Sequence, residues 1–312
     1  MRVVITGGSG LIGRALAREL LSAGYEVIAL SRNPDKATGL PAGVRAVHWD
    51  GRTSVGWGNF ADGAEAIVNL AGESIAGDSM AALILKRWTP ARKRLILESR
   101  LNAAGAVMQA IQEARHKPKV VVQASAVGYY GSRGDEELIE TSAPGDDFVA
   151  RVCRDWEAST TALEQIGVRR VIIRTGGVAI STEGGAFPFM LLPFRLFMGG
   201  PLGNGSQWFS WIHLADEARA IRFLIEAPSA SGIFNLSAPG SMTNAEFSRI
   251  LGRVLNRPSF IPVPAIALRL AFGEKAEILL VSQRQFPKRL LELGFNFQYP
   301  EAETALRNLL NR

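Results

Sequence analysis

Thr6-Gly7-Gly8-Ser9-Gly10-Leu11-Ile12-Gly13 is the stretch that decides the fold. Ahead of it, Met1 to Ile5 is a short apolar run carrying Val3, Val4 and Ile5, the signature of a buried parallel strand. Behind it, Leu11, Ile12, Ala15, Leu16, Leu20 and Leu21 recur at helical spacing, and Gly24 stands where a helix cap belongs. Strand, glycine turn and helix in that order give a glycine motif its meaning. Gly7 permits the sharp turn, Gly10 lets backbone approach a pyrophosphate, and Gly13 lets the helix pack close on the strand. Ser9, Leu11 and Ile12 complete a loop whose bare N–H groups, at the positive end of the helix, favour a phosphate. The expected ligand is a dinucleotide.

The next strand, Glu26 to Leu30, ends in Ser31 and Arg32. A carboxylate at this point would bond a ribose 2′-hydroxyl and repel a 2′-phosphate. A serine hydroxyl and a guanidinium hold that phosphate instead, so the pair reads as selecting NADP over NAD, with NADPH preferred over NADH. Val44 to Trp49 reads as a third strand, with Trp49-Asp50-Gly51 bordering the adenine, and Ala66 to Leu70 as a fourth. The fourth leads into Leu70-Ala71-Gly72, small enough to pass close to a cofactor. A basic, helix-prone stretch runs from Lys86 through Gln112, and Val120 to Gln123 is a fifth strand leading into Ala124-Ser125-Ala126-Val127-Gly128-Tyr129-Tyr130-Gly131. Asp146 to Gln165 reads as helix and Val171 to Arg174 as a sixth strand.

This alternation predicts an α/β protein with a Rossmann-type doubly wound parallel sheet, ligands lying at the carboxyl ends of the strands. Residues 1–175 form the dinucleotide-binding domain. Glycines, prolines and aromatics then crowd residues 176 to 211, as in loops that shape a substrate pocket. Ala215 to Glu226 reads as a helix and Ile233 to Ser237 as a strand, so about 207–237 returns to the first domain. Residues 176–206 and 238–312 form a smaller substrate-side, C-terminal domain.

Bulk composition narrows the functional classes. The chain has 312 residues, 47% hydrophobic and 21% charged, ordinary for a globular protein. Its net charge of +6 gathers near Lys86, Arg87, Arg92, Lys93, Arg94 and Arg100, which at helical spacing reads as a solvated face. No aromatic-interleaved basic array suggests nucleic acid. Cys153 is the only cysteine, so no intramolecular disulfide forms and a reducing compartment, the cytoplasm, is expected. The first apolar run is too short for a signal peptide. Phe187 to Met198, the most apolar stretch, carries two prolines and Arg195 and is too short to span a bilayer. It reads as a buried or mobile segment, or as the apolar wall of a pocket. Neither a membrane partner nor a metal is expected.

The motifs together resemble the extended short-chain dehydrogenase/reductases, the nucleotide-sugar epimerase-like enzymes. The Thr6–Gly13 turn, Asn69-Leu70-Ala71-Gly72 and Trp211-Ile212-His213-Leu214-Ala215-Asp216 carry that likeness. More narrowly, the chain resembles an atypical "epimerase family protein" group. Matching segments are Arg87-Trp88-Thr89, Ser99-Arg100, Ser125 to Gly131, Trp156-Glu157, Gly203-Asn204-Gly205-Ser206-Gln207-Trp208 and Ser210-Trp211-Ile212-His213. Arg257-Pro258, Pro262-Val263-Pro264, Gly273-Glu274, Ser282-Gln283-Arg284 and Gly294-Phe295 resemble that group's small C-terminal domain of unknown function. The likeness runs essentially end to end.

One departure bears on chemistry. The superfamily pairs a tyrosine with a lysine four positions later, the phenol exchanging a proton with a carbonyl oxygen. Counting back from Trp156-Glu157, those places hold Phe148 and Val152, neither able to move a proton. The superfamily's serine falls at Ala126 or at Ser125. Two readings follow from the resemblance. In one, an NADP-dependent oxidoreductase or epimerase keeps turnover with a relocated donor, Tyr129 or Tyr130, with Ser125 orienting the substrate oxygen and Lys93 adding charge. Gln207, Ser210 and His213 then line the pocket for a small-molecule substrate. In the other, the chain binds NADPH without turnover, as a sensor or scaffold. A homodimer follows from superfamily analogy alone.

Overall fold

Val3 and Ile5 turn to one side of the first strand and Val4 to the other, and all three are wholly buried, as a strand covered on both faces requires. The structure, a computed structural model, describes residues 1–37, 39–75, 77 and 87–312. Strand β1 (Arg2–Thr6) leads through the glycine turn into α1 (Leu11–Ser22). Gly24 follows that helix at φ +80°, a left-handed position suited to glycine. The chain continues through β2 (Glu26–Ser31), β3 (Arg45–His48), β4 (Ala66–Asn69), α2 (Pro90–Glu113) and β5 (Val120–Ala126). Lys86, at the start of the basic stretch, lies outside the described residues. Thr89 caps α2 by accepting the Arg92 amide, with Pro90 in the first turn, where its missing N–H is harmless.

The two-residue strand β6 (Glu137–Leu138) precedes α3 (Phe148–Ala158) and β7 (Arg169–Thr175). Asp147 caps α3 by accepting the Ala150 amide at 2.8 Å. The helix stops well short of Gln165 because hydroxyl residues compete for its last carbonyls: the Ser159 hydroxyl donates to Trp156 O at 2.6 Å. A single 3-10 segment, Thr161–Ile166, carries the chain onward. Then come β8 (Val178–Ile180), α4 (Phe187–Arg195), β9 (Trp208–Phe209), β10 (Trp211–His213), α5 (Leu214–Glu226) and β11 (Gly232–Leu236). The C-terminal part comprises β12 (Met242–Thr243), α6 (Asn244–Leu255), α7 (Ala265–Phe272), α8 (Ala276–Leu280), β13 (Arg284–Gln285), α9 (Lys288–Glu292) and α10 (Ala302–Leu310).

Seven strands form one sheet in the order β3-β2-β1-β4-β5-β7-β11, every pairing parallel. The order reverses between β1 and β4, opening the crevice in which such sheets bind ligands. On one face, α1 and α5 bury Leu16, Leu20, Ile221 and Leu224 against Val3, Ile5, Val68 and Val122. On the other, α2 buries Ala103, Val107 and Ile111 against Val4, Ile28, Ile67 and Val121. Each fully buried aliphatic side chain contributes about 1.5–3 kcal/mol of transfer free energy. A third apolar cluster unites α4, α6 and α10 through Phe187, Leu191, Phe194, Phe247, Leu251 and Leu306. The run Phe187–Met198 is therefore divided rather than buried as a whole, with Leu192, Leu196, Phe197 and Met198 exposed.

Candidate functional site

The glycine turn meets the chain on every side. Gly7 has φ +68°, and a Cβ there would lie 3.1 Å from Leu70 C and Ala71 N. A Cβ on Gly13 would come within 2.5 Å of Gly7 O, so α1 reaches the turn only because that position is bare. Gly8, absent from the sequence expectation, is equally constrained: its Cβ would stand 2.6 Å from that of Ala29 on β2. The first helical bond runs from Arg14 N to Gly10 O, and Gly10 provides no side-chain cap. Among the described residues, the Leu11, Ile12 and Gly13 amides thus have no intramolecular acceptor, and no acidic residue stands in that first turn. Beneath them, the Thr6 hydroxyl donates to Asn69 Oδ1 (2.6 Å) and the Asn69 amide to Gln123 Oε1 (2.9 Å). The Ala71 amide donates to the Thr6 hydroxyl at 3.2 Å, tying the Leu70–Gly72 segment to β1.

Ser31 ends β2 buried, its hydroxyl accepting the Asn33 amide at 3.2 Å. Arg32 is exposed and its stem borders Gly51. Trp49 lies in the core, edge-on to Trp57 at 6.1 Å, so of the Trp49-Asp50-Gly51 turn only the latter two residues remain for an adenine. A second guanidinium was not anticipated: Arg14 donates to Ser9 O at 2.7 Å and packs beside Gly39. Its signal in the sequence was its place immediately after Gly13.

The tyrosines after β5 part company. Tyr130 is fully buried, its hydroxyl donating to Asn235 Oδ1 (2.7 Å) and accepting from Arg174 Nη1 (3.0 Å). Burial pushes this phenol up to about 12. Arg174 grips the buried Glu157 through Nε–Oε1 (2.8 Å) and Nη2–Oε2 (2.9 Å), and the Ser125 hydroxyl donates to Glu157 Oε1 at 2.6 Å. The expectation that Tyr130 and Ser125 face a substrate does not suit this geometry: both are committed to an internal ion-pair network. Tyr129 is only partly buried. Its ring lies on the Arg174 guanidinium at 3.3 Å, and its hydroxyl has no hydrogen-bond partner among the described residues.

The three pocket candidates are likewise separated. Gln207 lines a cavity of about 610 Å³ with Asp135, Asn204, Ser206, Arg269 and Ser282. Ser210 is buried and donates to Gln283 O. His213 caps α5, Nδ1 accepting the Ala215 amide at 3.1 Å, and stacks on Tyr299 with ring centroids 4.0 Å apart. Burial lowers its pKa. Neither Ser210 nor His213 reaches the cavity.

The sequence pattern of the NAD dependent epimerase/dehydratase family matches residues 3–237, and that of a domain of unknown function matches residues 263–309. The chain is similar to epimerase family protein YfhF of Bacillus subtilis (strain 168), at 36% identity over 99% of this chain and 98% of that protein. It is similar to epimerase family protein SDR39U1 of Mus musculus, at 37% identity over 99% and 100%. The crystal structure of human SDR39U1 (isoform 2) with NADPH superposes with a TM-score of 0.89, at 37% identity and full coverage of both chains. The chain belongs to the NAD dependent epimerase/dehydratase family.

Phe148, the first residue of α3, lies edge-on to Trp88 at 5.1 Å. The Lys93 ammonium lies 5.0 Å above the Phe148 ring and 5.9 Å above Trp88, and bonds Glu274 at 2.6 Å. Val152, one turn further along α3, is buried. Gly145 N donates to Tyr129 O at 2.9 Å, tying the segment ahead of α3 to the turn after β5, while the Lys93–Glu274 pair joins α2 to the C-terminal part. Arg100, drawn down to about 10 by burial, is packed on Trp156, its Nη1 donating to Glu73 O and Ile96 O.

Proposed function

We propose that this chain is an NADP(H)-dependent oxidoreductase or epimerase-like enzyme acting on a small polar molecule, with NADPH preferred over NADH. The observation that carries the reading is the set of bare Leu11, Ile12 and Gly13 amides, flanked by Arg14 and Arg32 with no carboxylate ending β2. These residues fit a phosphorylated adenine dinucleotide: amides and helix dipole for the pyrophosphate, two guanidinium groups for the 2′-phosphate. The NADPH bound by human SDR39U1 supports the same choice.

When bound, the cofactor supplies hydride exchange at its nicotinamide. This chain supplies position and charge. Gly7, Leu70, Ala71 and Gly72 hold the passage past the turn open. Asp135, Asn204, Ser206 and Gln207 give the substrate cavity a hydrogen-bonding lining, suited to a small molecule rich in polar groups. Tyr129 exchanges the proton in place of the absent tyrosine, and the Lys93 ammonium stabilises developing negative charge on the substrate oxygen. Ser125 and Tyr130 position Tyr129 through Glu157 and Arg174. A second reading, an NADPH sensor without turnover, draws on Phe148 and Val152 standing where the proton machinery belongs.

Calorimetry of the purified chain should give heat with NADPH and at least tenfold weaker binding of NADH. Arg32→Ala should narrow that gap. NADPH absorbance is then followed with a panel of carbonyl compounds and nucleotide sugars. Tyr129→Phe should leave cofactor affinity intact and cut turnover by roughly 10²–10⁴-fold. Tight NADPH binding with no consumption across the panel would select the sensor, and no heat with either nucleotide would end both readings.

A further inference from the structure

Where α4 ends, Phe194 N-terminal to the bend is buried, yet the next three apolar residues face outward. Leu196, Phe197 and Met198 are exposed, as are Phe260 in the adjoining loop and Ile266 and Leu270, four residues apart on α7. These six side chains expose between 53% and 76% of their surfaces. The two loops are joined by Ile261 N to Gly199 O (3.1 Å) and Val263 N to Pro201 O (2.9 Å), and α7 follows directly. Summed, these exposures come to roughly 700 Å² of apolar side chain, against ~300–600 Å² for the largest patch on an ordinary monomer.

The outward set is built into the backbone. Phe197 has φ +61°, a left-handed conformation unfavourable for a bulky side chain. It is held there by Phe197 N to Phe194 O (3.0 Å), Met198 N to Pro193 O (2.8 Å) and the Arg257 guanidinium 4.3 Å from its ring.

Charge identifies the occupant. No carboxylate occurs between Glu183 and Asp216, or between Glu246 and Glu274, while the same stretches carry Arg195, Arg249, Arg253, Arg257 and Arg269. Glu303 pairs Arg253 and Glu277 pairs Arg269, but among the described residues Arg195 and Arg257 have no carboxylate within 4.0 Å. A twofold copy of this face would set like charges opposite each other, whereas a phosphate-bearing bilayer surface answers both features. Among the described residues no helix is long and apolar enough to cross a membrane. We propose that this face docks on an anionic lipid surface, with Phe197, Met198, Phe260 and Leu270 entering the headgroup–acyl boundary and Arg195 and Arg257 meeting lipid phosphates.

The test is co-sedimentation of the full chain with large unilamellar vesicles, either phosphatidylcholine alone or phosphatidylcholine with about one-third phosphatidylglycerol. The chain should pellet with the anionic vesicles, weakly or not at all with the neutral ones, and less as salt rises. Arg195→Gln and Arg257→Gln should each weaken binding by about fivefold. The double change Phe197→Ser and Phe260→Ser should weaken it at least tenfold, with thermal melting checking that the fold is intact. Failure to pellet with anionic vesicles would overturn the proposal. So would binding indifferent to the serine changes, or a dimer in sedimentation velocity that those changes abolish.

Discussion

Replacing Arg174 by Met should remove a large part of the stability of the whole chain. The guanidinium is 1% exposed and carries five contacts: two to Glu157 (2.8 and 2.9 Å), one to Tyr130 (3.0 Å), one to Glu140 O (3.3 Å) and the Tyr129 ring (3.3 Å). A methionine fills the volume without the charge. Among the described residues, Glu157 would then be a buried carboxylate held only by the Ser125 hydroxyl. Breaking one partner from a buried pair costs about 3–5 kcal/mol, against a total stability of about 5–15 kcal/mol. Urea unfolding followed by fluorescence of the six tryptophans measures it directly. Arg18→Met breaks an exposed pair with Glu183 and should cost less than about 1 kcal/mol. Glu157→Gln alone should also destabilise, but the double change Arg174→Met with Glu157→Gln should cost at least about 1.5 kcal/mol less than the sum of the two. A loss under about 1 kcal/mol for Arg174→Met, or additive single changes, would refute the view that this pair holds β5, α3 and β7 together.

Three further outcomes are expected. Burial raises the Glu217 carboxyl to about 8, with Thr175 donating to Oε1 at 2.7 Å, so the folded chain keeps a proton that the unfolded chain loses near the ordinary carboxylate value. Stability from this group is complete at acid pH and falls by about 1.4 kcal/mol per unit as pH rises toward 8; Glu217→Gln should flatten that slope in denaturation across pH and leave the variant the more stable at pH 8. Gly13→Ala, whose Cβ would meet Gly7 O at 2.5 Å, should weaken NADPH in calorimetry by more than about tenfold, while Gly24→Ala, with nothing within 4 Å, should cost only about 1 kcal/mol of stability and leave affinity unchanged. Asp216→Ala would strip the acceptor from the Gln298 and Tyr299 amides, both at 2.8 Å, so limited proteolysis should release the segment bearing α10 faster than in the parent chain.

Elements that depend on local periodicity were legible in the sequence, and those that depend on distant partners were not. The apolar runs around Val3–Ile5, Val120–Val122 and Val171–Ile173 needed no tertiary information, because a strand covered on both faces is hydrophobic at every position. The glycine turn was legible for the same reason: Gly13 answers to Gly7 and Gly8 a few residues back and Gly7 to its own positive φ, although the contact that crowds Gly7, the Leu70–Ala71 backbone, lies far along the chain. Gly8 escaped because its neighbour is Ala29, on another strand. Tyr130 and Ser125 look catalytic in a linear reading, since they follow a central strand and Phe148 leaves the resemblance without its tyrosine. What removes them from the solvent is Arg174, many residues later, and the Asn235 amide later still. The run Phe187–Met198 shows the same division within a single segment. Phe187, Leu191 and Phe194 recur at spacings of four and three and find α6; Leu196–Met198 fall beyond the bend, where helical periodicity no longer governs direction. Composition left those side chains open between a buried segment, a mobile one and a pocket wall. Phe197, turned to φ +61°, and its neighbours stand outside the core, and exposure kept by an unfavourable conformation beside the Arg257 guanidinium is better explained by a surface it meets than by failed burial.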